Sequence, residues 1–285
     1  MGSECHPAFE SMSTEFPMVQ RMLGKLRPPL QSKKDGILTI PKEDLSYLSI
    51  AEIFRLGAVH LKQRAAEKAL NAKGVDFRSD NPEVLEEAYS KMTQEQFEAI
   101  NGRQQFSNWI IIGHALNGLV ENRPLKVIDI GMGTGTSTKV LANFVPKGSE
   151  IIGYDLSHPL AEVAKKQTYP HRSGEIITTE FVAQSITETF HNAKGEIIET
   201  GSVDYINSSG IIGHHLDASQ LREFAAESRR VLKPRAYVAL DEGPAFSQRK
   251  MIDIMEEFHF APVKQVRVFR GKAVGQIIFQ KLEIE

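Results

Sequence analysis

Three glycines at alternate positions, Gly131, Gly133 and Gly135, stand directly after the short apolar run LKVIDI (125–130). Glycine at that spacing lets the chain turn tightly and brings a ligand close to the backbone. A helix beginning near Thr136 would aim its free N–H groups at whatever lies above the loop. A dinucleotide loop reads G-x-G-x-x-G; here the third glycine arrives one position early, and Thr136 fills the dinucleotide slot. Asp129 lies two positions before the first glycine, awkward beside a pyrophosphate and useful beside an ammonium group. Asp155 closes the next apolar run, EIIGYD, twenty-four positions after Gly131. A carboxylate at the tip of a second strand can accept hydrogen bonds from both hydroxyls of a ribose. Asp155 would serve NAD equally, so it argues for an adenosine-type ligand without choosing one.

A second cluster follows in NSSGIIGHHLD (207–217). His214 and His215 are candidate bases, since neutral histidine accepts protons near pH 7. The alternative is that HHL only anchors the loop to the next helix. Asp241-Glu242 is open between substrate contact and a solvated strand end. No metal site is expected: His158, His171 and His191 are scattered in loops, with no acidic cluster at ligand spacing. The single cysteine, Cys5, excludes an intramolecular disulfide and a cysteine-based zinc framework.

The elements that must position these groups can be read from periodicity. After Pro124, β-branched runs alternate with helical stretches: 125–130, 150–155, 179–184, 203–208 and 236–242, with helices near 136–144, 159–167 and 219–232. Strand alternating with helix predicts a doubly wound, Rossmann-like α/β fold with a mostly parallel sheet. A helix at 247–258 and two strands, 263–269 and 274–281, joined by Arg270-Gly271-Lys272, predict an antiparallel pair at its end. Upstream, 41–119 reads as helical. One helix would carry Ile50, Ile53, Phe54, Gly57, Leu61 and Ala65 on one face, with Gly74 as its cap. Asn81-Pro82 starts a second, and Thr93 with Gln96 a third. A fourth places Phe106, Trp109, Ile110, Gly113 and Leu116 on a stripe. The expected organisation is a flexible arm (1–35, with one short helix near 18–26), a helical lid or cap (36–122) and an α/β core (123–285).

The chain has 285 residues, 41% hydrophobic and 25% charged, with a formal net charge of -2. That balance, without a Lys/Arg run, disfavours nucleic acid and anionic membrane as partners. The stretch 109–120 is too short to span a bilayer, and the start MGSECHPAFE lacks the features of a signal peptide. A cytoplasmic protein is expected.

Residues 125–281 resemble the core of the class I S-adenosylmethionine-dependent methyltransferases. VIDIGMGTGTS is similar to that family's first motif and IIGYDLS to its second. FVAQSIT and VDYINSSGIIGHHL stand at the third and fourth, and RRVLKPRAYVAL resembles the run that opens the fifth strand, with Arg235-Ala236 replacing a glycine pair. The resemblance implies that S-adenosylmethionine is bound and S-adenosylhomocysteine released. Gly131, Gly133, Thr134 and Gly135 would pass its methionine part, Asp129 its ammonium group, and Asp155 its ribose. Leu156 would pack on the adenine, with Ser185 and Ile186 at its edge and Ser208 at the rim; the family often has Asp where Ser185 stands. Arg103, Trp109 and Ser209 are the candidates for contact with substrate, Arg103 and Gln104 being alternatively within reach of the cofactor carboxylate.

The function implied is methyl transfer by in-line displacement to the oxygen, nitrogen or carbon of a small-molecule acceptor. The N-terminal helices would serve as lid and as the candidate homodimer face. The Asn/Asp-Pro-Pro-aromatic signature of nucleic-acid amino methylation is absent, NSSG standing there. Two rivals remain: a non-catalytic S-adenosylmethionine-binding module, which would lack an acceptor pocket, and an aminopropyl transferase, which needs more acids than Asp217 near the fourth strand. NAD-dependent oxidation ranks last.

Overall fold

A computed structural model describes residues 33–34, 37–38, 42–44, 50–79, 81–116, 119, 123–268 and 274–283. Most of the proposed arm, including its helix near 18–26, lies outside them, as does the turn at 270–272. Two short strands, β1 (Lys33–Lys34) and β2 (Ile37–Leu38), pair antiparallel. A third, β3 (Lys42–Asp44), stands where the helical pattern was expected to run, and lies parallel on the edge of the main sheet.

Four helices follow: α1 (Ile50–Ala72), α2 (Pro82–Ser90), α3 (Gln94–Ile100) and α4 (Gly102–Leu116). The local signals act as read. Asn81 caps α2 by accepting from the Glu83 N–H, with Pro82 in the first turn. Thr93 and Gln96 form the reciprocal capping box of α3.

The face assigned to α1 is corrected. Phe54 and Leu61 are 75% and 70% exposed, whereas Leu70 is buried with Phe77, Ala88, Met92 and Ile100 in a satellite cluster of the cap. A stripe of apolar residues marks a helix face but does not say which neighbour it meets.

The sheet is formed by β4 (Lys126–Ile130), β5 (Glu150–Asp155), β6 (Thr178–Ala183), β7 (Val203–Ser208), β8 (Leu232–Asp241), β9 (Phe260–Val268) and β10 (Val274–Lys281). Its order is β3-β9-β10-β8-β7-β4-β5-β6. Strands β6, β5, β4, β7 and β8 are mutually parallel, and β10 runs antiparallel between β8 and β9. This is the doubly wound sheet with an antiparallel C-terminal pair that alternation predicted.

Helices cover both faces, as a buried parallel sheet requires. On one face α4, α5 (Thr136–Phe144) and α6 (His158–Lys165) meet Val127, Ile151 and Tyr205. On the other, α8 (Ala218–Val231) and α9 (Gln248–Glu257) meet Ile128, Ile206 and Val238. Between β7 and α8 lies the short α7 (Ile212–His215). The C-terminal half of α4, with Ile111, Ile112, Ala115 and Leu116, belongs to the first face. Trp109 packs there too, edge-on to Phe144 with ring centroids 6.4 Å apart. The candidate substrate role for Trp109 is therefore corrected: the ring fills the α4–α5 contact and lines neither cleft described below.

Candidate functional site

The chain leaves β4 toward β5 and leaves β7 toward β8, so the loops after the adjacent strands β4 and β7 diverge. Such a divergence opens a crevice at the carboxyl ends of the strands. The glycine loop enters it with Gly131 at φ 68° and Gly133 at φ 54°, in the left-handed region that side chains resist. Space is short as well: a Cβ on Gly131 would run into Ile211, and one on Gly133 into the Phe97 ring. Gly135 sits at the N-cap of α5.

Asp129 lies beneath this loop, fully buried. Ser137 Oγ and Thr138 Oγ1 each donate to its Oδ2 at 2.7 Å, and Asn207 Nδ2 donates to Oδ1 at 2.9 Å. Gln276 Nε2 extends the network, donating to Asn207 Oδ1 and the Ser208 carbonyl. Strands β4, β7 and β10 are thereby tied under the crevice. Burial pushes the Asp129 carboxyl up to about 6, against the hydrogen bonds that favour its charge. Its three donors come from the protein, and Asp129 does not line the cleft.

Asp155 does line it. Its Oδ2 accepts the Gly133 N–H at 2.8 Å and its Oδ1 the Ser157 N–H at 2.9 Å. Burial again dominates and raises it to about 6. A carboxylate oxygen holding one N–H keeps a second lone pair, so both oxygens can accept further. Leu156, Ser185, Ile186 and Ser209 share the cleft with Asp155 and Gly131. Ser209 Oγ is buried with no hydrogen-bond partner. Thr134 is fully buried, and Ser208 is spent on Asp241, its Oγ donating to Oδ1 at 2.6 Å. Neither Thr134 nor Ser208 lines the cleft, and Ser209 stands there where Ser208 was expected.

The cap closes the other side with Leu85, Tyr89, Phe97, Asn101, Gln104, Gln105 and Asn108, most of which sequence reasoning missed. Their contribution is nonlocal: nothing in a capping box says which loop the helix will lie on. The cleft has a cavity volume of about 120 Å³. Beside it opens a larger chamber of about 930 Å³, which shares Tyr89, Asn101, Gln104, Gly210 and His215 with the first.

The two histidines separate here. His214 is exposed and lines only the larger chamber, whereas His215 lies in the shared wall. His215 Nε2 is 3.3 Å from the Tyr89 hydroxyl, and the buried ring also meets the Ser79 backbone. Burial first, then the neighbouring His214, pushes the His215 imidazole down to about 4, so it is neutral at pH 7. Tyr89 is held above its ordinary value, chiefly by burial and next by the Asp155 charge.

Asp241 explains why α7 is held. It is buried, and accepts from Ser208 Oγ and from the Ile212 and Gly213 N–H groups. The open question at Asp241-Glu242 thus divides: Asp241 anchors the histidine helix, while Glu242 lines the larger chamber. Gly213 and Gly243 meet backbone to backbone, and the Ala245 N–H donates to the Gly213 carbonyl. Arg103 lines the larger chamber and not the cleft of Asp155. No group of three or more potential metal ligands occurs among the described residues.

With this geometry established, the likenesses to known proteins can be placed on it. A family model described as a methyltransferase domain matches residues 127–235, from β4 into β8. No curated protein matches the chain. Among solved structures, a SAM-dependent methyltransferase from Aquifex aeolicus is 18% identical, covering 67% of this chain and 100% of its own, with a TM-score of 0.50. A chain of the Haloferax volcanii complex between the Trm112 methyltransferase activator and a methyltransferase is 14% identical. It covers 67% of this chain and 99% of its own, with a TM-score of 0.51. These two are likenesses of fold.

Residues 127–235 carry a methyltransferase domain, the domain of an enzyme, and the fold is shared with S-adenosylmethionine-dependent methyltransferases. The cofactor this implies is S-adenosylmethionine. The residues present fit that group: the Gly131 backbone and the Asp155 carboxylate lining the cleft, and a buried unpaired hydroxyl at Ser209.

Proposed function

We propose that the protein transfers a methyl group from S-adenosylmethionine to a small molecule held in the larger chamber. The observation that carries this is the pair of adjoining spaces, one against the glycine loop and Asp155, the other meeting it across His215 and Gly210. A binding module without transfer activity has no need of the second. The aminopropyl reading loses its one loop carboxylate, since Asp217 is spent capping α8.

In this reading Asp155 holds the ribose hydroxyls, Leu156 and Ile186 flank the adenine, and Ser185 lies at its edge. The backbone at Gly131 and Gly133 passes the methionine portion. Thr134 supports the loop from its buried side, and Asp129 acts through the same loop and not by direct contact. When bound, S-adenosylmethionine supplies a methyl group already activated by the positive charge on its sulfur. The protein's task is then to orient the acceptor and exclude water. Tyr89, Phe97 and Gln104 close the cap side. His215, neutral at pH 7, meets the Tyr89 hydroxyl at the boundary between the two spaces. A weak base suits an acceptor that is already nucleophilic and sheds its proton as it is methylated. His214 is the less suited of the pair, being exposed and outside the shared wall.

The enzyme is further read as cytoplasmic, without a nucleic-acid or membrane partner, and as a homodimer through its N-terminal helices. No helix among the described residues is long and apolar enough to cross a membrane. A dimer contact would cover the exposed Phe54 and Leu61.

The test is calorimetric titration with S-adenosylmethionine, S-adenosylhomocysteine and NAD in parallel, repeated on Asp155→Ala. Micromolar binding of the two sulfur nucleosides, weakened at least about 100-fold in the variant by loss of two charge-assisted hydrogen bonds, is expected. Binding of NAD in their place would overturn the assignment.

A further inference from the structure

The larger chamber has a lining that discriminates between acceptors. Phe77, Ile100, Phe246, Met251 and Ile277 give it an apolar floor. Of its charged groups, Arg78 and Glu67 neutralise each other at 2.8 Å. Glu242 accepts from Gln265 Nε2 at 2.8 Å. Arg103, in the first turn of α4, is different. Its Nε donates to Gln63 Oε1 at 3.1 Å, and Gln63 is buried and fixed in turn by donating to Glu67 Oε1. That bond holds the guanidinium in place through one nitrogen, and Arg103 makes no ion pair among the described residues. A planar guanidinium with both terminal nitrogens uncommitted is shaped to grip a carboxylate through two parallel hydrogen bonds.

We propose, on the methyl-transfer reading above, that the chamber takes an acceptor with an apolar body and a carboxylate, and that Arg103 is the anion anchor that selects it. The apolar body lies on the floor, the carboxylate at Arg103, and the methyl-accepting atom at the wall formed by His215 and Gly210. Charge-assisted pairing in a partly desolvated pocket gives discrimination against the uncharged analogue, because leaving the guanidinium without its partner is costly. The cofactor's own carboxylate is a competing occupant for Arg103. The smaller cleft meets Gln104 and not Arg103, which places the two anions apart.

The experiment uses the full chain saturated with S-adenosylhomocysteine and three probes of one shape: indole-3-acetate, indole-3-acetamide and tryptamine. Calorimetry should show the acid binding at least tenfold more tightly than the amide, with the amine weakest. Arg103→Gln should erase the gap between acid and amide, and Arg103→Lys should restore part of it. S-adenosylhomocysteine affinity should be unchanged in both variants, which also shows that they fold. Preference for tryptamine would overturn the proposal by giving the chamber to Glu67 and Glu242. So would equal binding of acid and amide, failure of the acid to bind, or survival of the preference in Arg103→Gln. A weakened S-adenosylhomocysteine affinity in Arg103→Gln would move Arg103 to the cofactor carboxylate. Failure of the wild type to bind S-adenosylhomocysteine would instead remove the methyl-transfer reading itself, and this proposal with it.

Discussion

Asp155 shows how one group can respond to pH in two directions. Burial raises its carboxyl from the ordinary 3.8 to about 6. A ribose diol donates to the ionised form, so S-adenosylhomocysteine should bind more tightly as pH rises toward 6 and level off above it. Below that point the association constant should fall by up to about tenfold per pH unit, and calorimetry between pH 5 and 8 reads this directly. The ligand-free protein responds with the opposite sign. Its folded carboxyl keeps a proton that the unfolded chain has lost, so stability falls as pH rises from about 4 to about 6 and is flat above. Asp129, also raised to about 6, adds to the second effect and not to the first. The glycine spacing and both aspartates were legible in the sequence because each is dictated by a local backbone need. That Asp129 faces inward was not. Its partner Asn207 lies 78 positions away, held in turn by Gln276 from another strand, and only the assembled sheet brings them together.

Among the elements, α7 depends most on a residue outside itself. It has four residues and no side-chain cap of its own, and its histidines are held because Asp241 at the end of β8 accepts the Ile212 and Gly213 N–H groups. Asp241→Ala would leave those two and the Ser208 hydroxyl without an acceptor in a buried place. At about 1–3 kcal/mol for each unsatisfied group, a loss of at least about 3 kcal/mol is expected, read as a lower urea midpoint. Asp241→Asn, which keeps one acceptor oxygen, should lose less. If the two variants are equally stable, the carboxylate is not what holds the helix. The strand and helix boundaries of the α/β core could be read from alternation to within a few residues. The role of Asp241 could not, because a carboxylate at a strand end looks the same in sequence whether it faces water or a neighbouring loop. The inward face of α1 escaped for a related reason: its buried side is marked by Leu70 and a buried glutamine, Gln63, and not by the stripe of Phe54 and Leu61.

At the scale of the whole molecule, cap and core meet on the site itself. Phe97 from α3 rests over Gly133, and Tyr89 from α2 reaches His215. A ligand between them contacts both layers, so its binding energy should be felt by the cap as well as by the loop. With S-adenosylhomocysteine present, backbone amide exchange should slow severalfold in 82–101 together with 131–137. Protection confined to the loop would mean that the cap stands apart from the ligand. The mostly parallel sheet with its antiparallel end was predictable from the alternation of strands and helices. The docking of α2 and α3 over the glycine loop was not, since the contacts of Phe97 and Tyr89 join segments that have no shared period.

The backbone contact between Gly213 and Gly243 bears on how this scaffold could diversify. The loops after β7 and β8 leave no room between them for even one added carbon, so neither can change without moving the other and the histidine helix they hold. On the function proposed above, variation in what the enzyme accepts is thereby channelled to the helices on the opposite wall. A library meant to retarget the enzyme is best spent on the side chains of α1 to α4 that face the larger chamber, with residues 210–214 and 241–245 left as they are.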